Sequence, residues 1–316
     1  MRWCKKNSSA ASPGTMTDPN EVGEPDLDGT VSWRALLLET EVLLERSGAS
    51  GNPKMDAKWI LEEVTGAEGA DFSAALDGLA TQRGVTKLDA MVARRVKGEP
   101  IQYVLGRWAF RTLDLMVDHR VLIPRPETEM VAGLALDELD RLRPSGGGTV
   151  VDLGTGSGAI GLSIAAERSV SRVLLTDQSA DAVAVARANL SGLGLAGRSV
   201  EIVEGSWFAA VPERFLGECD VIVTNPPYVA TTEELPASVT DWEPSAALLS
   251  GTSGLDDLRH IVSNAAPWLR PQGALVMEMG QGQTSAVAEF AHEHGFSTTI
   301  HDDHAGIDRA VVARRP

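Results

Sequence analysis

The chain has 316 residues, of which 43% are hydrophobic and 23% charged, enough length for two ordinary domains and enough apolar material for a core. Its net charge of −16 argues against a duplex-DNA binder, which needs a basic face, although a local basic patch can sit on an acidic protein. The two cysteines, Cys4 and Cys219, make no disulfide framework or zinc spacing, which fits a reducing cytosol; no stretch has the apolar length of a membrane span or the h-region of a signal peptide.

Residues 1–30 are rich in Ser, Pro, Gly, Asp and Glu and lack apolar periodicity, so they are expected to be disordered, with Met16 an alternative start. Residues 31–98 read as a small helical bundle. Ser32 caps a helix carrying Leu36, Leu37, Leu43 and Leu44; Ala57, Ile60, Leu61 and Val64 mark a second, ended at Gly66; Leu88, Met91, Val92 and Val96 mark the last. This module shows no nucleophile–base pair and no metal spacing, leaving packing or partner recognition as its role.

Residues 99–123 change period. Trp108 to Phe110 and the alternation of Leu113, Leu115 and Val117 predict a β-hairpin linker. In the Pro124-Arg125-Pro126-Glu127-Thr128-Glu129 stretch that follows, Pro126 suits the first turn of a helix, and Glu127 and Glu129 suit its positive end. Arg125 and Glu127 either fix that start or bind substrate backbone.

From Thr149 short strands alternate with helices, predicting an α/β fold with a parallel, doubly wound sheet over residues 124–316. After the first strand comes Asp152-Leu-Gly154-Thr155-Gly156-Ser157-Gly158-Ala-Ile-Gly161. Glycines permit the sharp turn and a close approach to a ligand, and the following helix directs its free N–H groups there. Residues 156–161 match the dinucleotide fingerprint literally, and Asp177 ends the second strand, where an acid accepts hydrogen bonds from ribose hydroxyls. The pattern alone fits a nicotinamide enzyme and an S-adenosylmethionine enzyme almost equally. Asp152 favours the second, as an acid suited to a ligand bearing an ammonium and a sulfonium.

The fourth strand, Val221 to Val223, runs into Asn225-Pro226-Pro227-Tyr228. Each proline lacks an N–H and holds the residue before it extended, so the loop offers a rigid Asn amide, a free Pro226 carbonyl and an aromatic ring. Asn-Pro also starts ordinary turns. Because ligands of open α/β sheets lie over the carboxyl ends of the strands, the glycine loop, Asp177 and this loop converge on one crevice.

Asp152 to Gly158, Asp177 and Asn225 to Tyr228 together resemble a class I S-adenosylmethionine-dependent methyltransferase, a Rossmann-like fold with a seven-stranded sheet. The Asn-Pro-Pro-Tyr form belongs to enzymes that methylate planar nitrogens, of adenine or of the glutamine side chain. Gly98-Glu-Pro-Ile-Gln-Tyr-Val-Leu-Gly106, Leu122-Ile-Pro-Arg-Pro-Glu-Thr-Glu129 and the N-terminal helical bundle are similar to the peptide chain release factor glutamine methyltransferases, over about residues 31–315. The resemblance implies that residues 31–98 recognise a release factor and that the glutamine of its Gly-Gly-Gln motif is the acceptor, in the cytoplasm, with neither nucleic acid nor membrane as partner. It further implies that Gly154, Thr155, Gly156, Ser157 and Gly158 surround the methionine part of the cofactor, that Asp177 binds its ribose, and that Trp207 flanks its adenine. Asn225 would touch both cofactor and substrate, with Pro226, Pro227 and Tyr228 lining the substrate side. Three departures stand out: Ser206 where an acid is common, Arg111 where glycine is usual, and His in the His301–His304 stretch where Tyr is usual.

An amide nitrogen is a poor nucleophile because its lone pair is delocalised. The Asn225 side-chain oxygen and the Pro226 carbonyl can each accept one N–H of a substrate amide and so aim the lone pair at a sulfonium methyl, with Tyr228 packed on the amide plane. An adenine N6-methyltransferase is the main competing enzyme, disfavoured by charge; a nicotinamide oxidoreductase and a silent cofactor-binding protein are the others. The histidines at 292, 294, 301 and 304 read as solvated surface, Trp108 and Phe110 as packing. Trp242 is a candidate for the substrate mouth, and Glu278 and Gln281 lie near the crevice without assigned chemistry.

Overall fold

A computed structural model describes residues 30–170 and 172–316. The predicted disorder of 1–30 falls, except for Thr30, outside the described residues, as do Cys4 and Met16.

The N-terminal unit holds α1 (Trp33–Ser47), α2 (Pro53–Thr65), α3 (Gly69–Ala75), α4 (Gln82–Val96) and α5 (Ile101–Leu105). The three longer helices begin where side chains at their starts satisfy free N–H groups: Ser32 accepts from Ala35 N, Asn52 from Met55 N, and Thr81 from Gly84 N. Leu44, Ala57, Ile60, Leu61, Leu88 and Met91 form its own core. α5 is a helix that the hairpin patterning of 99–123 did not announce. Its Ile101 and Val104 join the helical core while Tyr103 enters the core of the next unit, so this single turn joins the two.

The hairpin follows as β1 (Arg107–Phe110) and β2 (Leu113–Met116), with Trp108 opposite Leu115. At its turn Arg111 has φ of 52°, the left-handed region that favours glycine. The backbone and side chain are held there: Arg111 N donates to Glu129 Oε1 at 3.0 Å, and the guanidinium grips Glu167 at 2.6 and 2.7 Å. Trp108 meets Trp59 of α2 edge-on, with ring centroids 5.5 Å apart.

The large unit runs α6 (Pro126–Leu142), β3 (Thr149–Leu153), α7 (Ala159–Glu167), β4 (Arg172–Asp177), α8 (Ala180–Ser191), β5 (Val200–Glu204), β6 (Cys219–Thr224), α9 (Ala237–Thr240), α10 (Asp256–Ala265), β7 (Leu269–Glu278), α11 (Thr284–Glu293), β8 (Ser297–Asp302) and β9 (Asp308–Arg314). The seven strands from β3 onward form one sheet in the order β5-β4-β3-β6-β7-β9-β8. β3 and β6 are buried at every position because both sheet faces are covered. Alternate residues supply the two layers: Val150, Leu175, Val221, Val223 and Val276 pack with α6, α7 and α8, and Val151, Leu174, Ile222, Leu275 and Met277 with α10 and α11.

The sheet is parallel except at β9, which pairs antiparallel with both β7 and β8. This corrects the all-parallel expectation. Only residues 303–307 separate β8 from β9, and a parallel return needs a crossover of about a dozen residues or more.

Candidate active site

β3 sits at the point where the strand order reverses, with β4 on one side and β6 on the other. A cleft with about 1000 Å³ of empty space, open to solvent, lies over the carboxyl ends of these strands. Its walls are Gly154 to Ser157 after β3, Asp177 to Ser179 after β4, Gly205 to Trp207 after β5, and Asn225 and Pro227 after β6. Arg120 to Leu122, Pro124 and Thr128 close one side, and Pro244, Ala246 and Ala247 another.

The glycine loop is built from two kinds of glycine. Gly154 (φ 70°) and Gly156 (φ 55°) face the cleft in conformations that side chains rarely take. A Cβ on Gly154 would also stand 3.3 Å from the Trp207 ring. Gly158 (φ 87°) does not line the cleft; an added Cβ would meet Leu162 Cδ1 at 2.6 Å, so its work is to bring the loop onto α7. Asp177 ties the loop to β4: one carboxylate oxygen accepts from Gly156 N and the other from Ser179 N, each at 2.9 Å. Burial raises its pKa, partly offset by these backbone N–H groups. Asp177 lines the cleft, where its carboxylate can also accept from a diol.

Asp152 is a correction. It is buried beneath the loop, where one oxygen accepts from Thr155 Oγ1 at 2.6 Å and from Gly161 N at 2.9 Å. Its carboxyl, pushed up to about 6 by burial, is not on the cleft wall; Oδ2 ties the loop, while the buried Oδ1 has no hydrogen-bond partner among the described residues. The acid seemed suited to a cationic ligand because the sequence shows its place in the chain but not the side of the loop on which it projects.

Trp207 lines the cleft with φ of 44°, a strained backbone for an aromatic residue. Ser206 lies beside it on the wall. Strain of this kind persists where the surroundings hold it, and Phe208, stacked on Trp268 at 5.8 Å, anchors the next position.

Asn225 stands at the end of β6 with its amide nitrogen 3.2 Å from Thr128 Oγ1, in the first turn of α6. No described residue bonds its side-chain oxygen. Pro226 is buried, Pro227 is on the cleft wall, and Tyr228 is half-buried behind it. The loop is pinned from below: Gln283 Nε2 donates to Tyr228 O at 2.9 Å, and Val229 N donates to Leu248 O at 2.9 Å. Tyr228 Oη lies 3.5 Å from Glu278 Oε1, and burial raises the phenol's pKa. Glu278 is fully buried, and its carboxyl is pushed up to about 7, chiefly by that burial.

Eight of the predicted residues therefore share one cleft: Gly154, Thr155, Gly156, Ser157, Asp177, Trp207, Asn225 and Pro227. Gly158, Pro226 and Tyr228 stand behind it. The sequence assigns no chemistry to Thr128 and Glu278, which lie 97 and 50 positions from their partners Asn225 and Tyr228 and meet them only through the fold. Arg125 donates to Glu243 Oε1 at 2.5 Å, and Ile123 N donates to Glu243 Oε2 at 3.1 Å, so this arginine holds the approach to α6 against the 244–247 wall. Among the described residues no group of three or more His, Cys, Asp or Glu is placed to hold a metal, and no helix is long and apolar enough to cross a membrane.

Two family models match: the Methyltransferase small domain over residues 133–241 and the PrmC N-terminal domain over residues 35–106. Several similar proteins carry the name release factor glutamine methyltransferase. That of Xylella fastidiosa (strain 9a5c) is 45% identical over 231 residues, 72% of this chain and 80% of that protein. That of Agrobacterium fabrum is 35% identical over 292 residues, 91% of this chain and 98% of that protein. That of Moorella thermoacetica is 39% identical over 282 residues, 88% and 91% of the two chains.

Proposed function

The chain belongs to the release factor glutamine methyltransferases, and from that premise we propose that it transfers a methyl group from S-adenosylmethionine to the side-chain amide nitrogen of the glutamine in a release factor's Gly-Gly-Gln motif. The observation that carries the reading is the Asn225 amide, held through its nitrogen with its oxygen left for a substrate N–H.

The cleft fits such a cofactor. Its glycine backbone admits close approach, and Asp177 presents acceptor oxygens where a ribose would lie. Gly154 to Ser157 would hold the amino-acid end and Trp207 would flank the base. Bound there, S-adenosylmethionine supplies an electrophilic methyl on a sulfonium.

The chain's own contribution is placement. Asn225 Oδ1 and the Pro226 carbonyl each accept one N–H of the substrate amide. This turns the nitrogen lone pair toward the cofactor and stabilises the positive charge that the nitrogen acquires. Tyr228 backs the substrate side and helps keep water out. No covalent enzyme intermediate and no strong base are needed, since an N-alkylated amide sheds its proton readily.

We assign the helical module 31–98 to gripping the protein substrate, supported by Leu38, Val42 and Leu43, which are exposed on α1. Cys219 is a buried free thiol, in keeping with a cytoplasmic location. The test is a label transfer. With methyl-labelled S-adenosylmethionine and either release factor or nucleic acid, label is expected on the Gly-Gly-Gln glutamine; label on adenine instead overturns the reading.

A further inference from the structure

We propose that Arg120 is the counterion for the carboxylate at the amino-acid end of the cofactor, and so selects S-adenosylmethionine over sulfonium nucleosides that lack that group. This assignment rests on the reading of the cleft as an S-adenosylmethionine site and adds to it the residue that reads one end of the ligand.

The donors of the glycine loop are nearly all spent within the chain. Gly154 N and Thr155 N both donate to Thr176 O at 2.9 Å, Gly156 N donates to Asp177 Oδ2 at 2.9 Å, and Gly158 N donates to Thr155 O at 2.8 Å. Of these five residues only Ser157 has a backbone N–H with no partner among the described residues. The start of α7 is answered as well. Gly161 N donates to the buried Asp152 carboxyl at 2.9 Å, so an acid of the chain itself sits at the positive end of that helix. The methionine part of the cofactor carries an ammonium, which donates, and a carboxylate, which only accepts. A loop so short of donors leaves the carboxylate to be met from elsewhere.

Among the described residues that line the cleft, only Asp177 and Arg120 carry a formal charge. Asp177 repels a carboxylate, so Arg120 is the one cation on the wall. Asn189 brings its segment to the glycine loop. The Asn189 Nδ2 donates to Ser157 O at 2.8 Å and to Met116 O at 3.1 Å, and Oδ1 accepts from Met116 N at 2.7 Å. The end of β2 is thereby fastened to the loop at Ser157. Two residues on, Val121 N donates to Asp118 O at 3.1 Å and closes the turn that carries Arg120.

The guanidinium is set in advance. Its Nε donates to Asp118 Oδ1 at 2.8 Å and its Nη2 to Asp118 Oδ2 at 2.6 Å, while Nη1 has no partner among the described residues. An ion pair about a quarter exposed adds little to stability by itself. What this pair does is fix the plane of the fork and leave an edge free, the geometry that suits recognition of a second carboxylate.

The experiment measures Kd by calorimetry in the full chain, for S-adenosylmethionine and for its decarboxylated form, with Arg120→Met and Arg120→Lys beside the unaltered protein. Arg120→Met should weaken S-adenosylmethionine binding roughly 10- to 100-fold, the scale of a lost hydrogen bond to a charged group. The decarboxylated form has no negative charge to lose and should bind this variant as well as, or more tightly than, it binds the unaltered protein. Arg120→Lys keeps the charge without the fork and should fall between; it carries the test if the methionine variant does not fold. Equal weakening of both ligands overturns the assignment to the carboxylate, as does unchanged affinity for S-adenosylmethionine, and either result leaves the cofactor site standing. Failure of the unaltered protein to bind S-adenosylmethionine overturns the cofactor reading and this assignment with it.

Discussion

Asp177 and Gly156 are joined by a 2.9 Å hydrogen bond from the glycine N–H to the aspartate Oδ2, so the acid at the end of β4 and the turn after β3 are one unit. Asp177→Ala removes both the tie and the acceptors offered to the ribose. Loss of hydrogen bonds to a charged group costs about 1.5–3 kcal/mol, roughly 10- to 150-fold in Kd. Calorimetric titration with S-adenosylmethionine should show that weakening; unchanged affinity would remove Asp177 from the cofactor site.

Asn225→Ala is expected to lose roughly 100- to 1000-fold in kcat, the scale seen when one preorganised polar contact to a transition state is deleted. Asn225 is half-buried and makes one side-chain hydrogen bond, so thermal stability should stay near that of the unaltered protein and much of the cofactor affinity should remain. Stopped turnover with an intact melting transition separates a lost contact from a lost fold.

Gly158→Ala behaves in the opposite way. The position combines φ of 87° with a contact to Leu162 of 2.6 Å for any added Cβ. Denaturant unfolding should show a loss of about 1–3 kcal/mol. Because Gly158 does not line the cleft, a variant folded at low temperature should keep its KM for the cofactor. A changed KM with unchanged stability would contradict this placement.

Glu278 gives a pH prediction for stability. Its ordinary value is 4.5 and burial raises it to about 7, so between these values the folded state binds the proton more tightly than the unfolded state. Its contribution is therefore most favourable below about pH 4.5 and declines as pH rises through 7. Glu278→Gln has no such term, and its melting temperature should gain on the unaltered protein across that window. Parallel melting curves with no divergence would contradict the shift.

Much of this architecture was legible in the chain. The β3, β4 and β6 positions followed from apolar runs between helical stretches, and the glycine loop, Asp177 and Asn225 to Tyr228 from local chemistry at strand ends. What escaped depended on distance or direction. Asp152 looked like a ligand group because its neighbours are, yet its side chain projects beneath the loop. Thr128 lay in plain view after Pro126, but its partner Asn225 is 97 positions away, and no periodicity links them. β9 turned back because the 303–307 connection is short, a constraint of length that helix–strand alternation does not express.

Arg111 allows a backbone term to be separated from an ion pair. Arg111→Ala loses the Glu167 pair and keeps the left-handed turn; Arg111→Gly loses the same pair and relieves the turn. Chemical denaturation should find the glycine variant more stable than the alanine variant by about 1 kcal/mol. Equal stabilities would mean that the turn holds no strain.

The same arginine ties the hairpin to the large unit. Through Glu129 and Glu167 it rivets the hairpin to α6 and α7, while Trp108 meets Trp59 in the helical lobe and Tyr103 Oη donates to Val121 O at 2.5 Å. A lobe fastened at so many points has little room to swing. On the proposed reading, in which the helical lobe seats the protein substrate, the span from the helices to Asn225 would act as a gauge, admitting to the cleft only a side chain that stands the right distance from that seat.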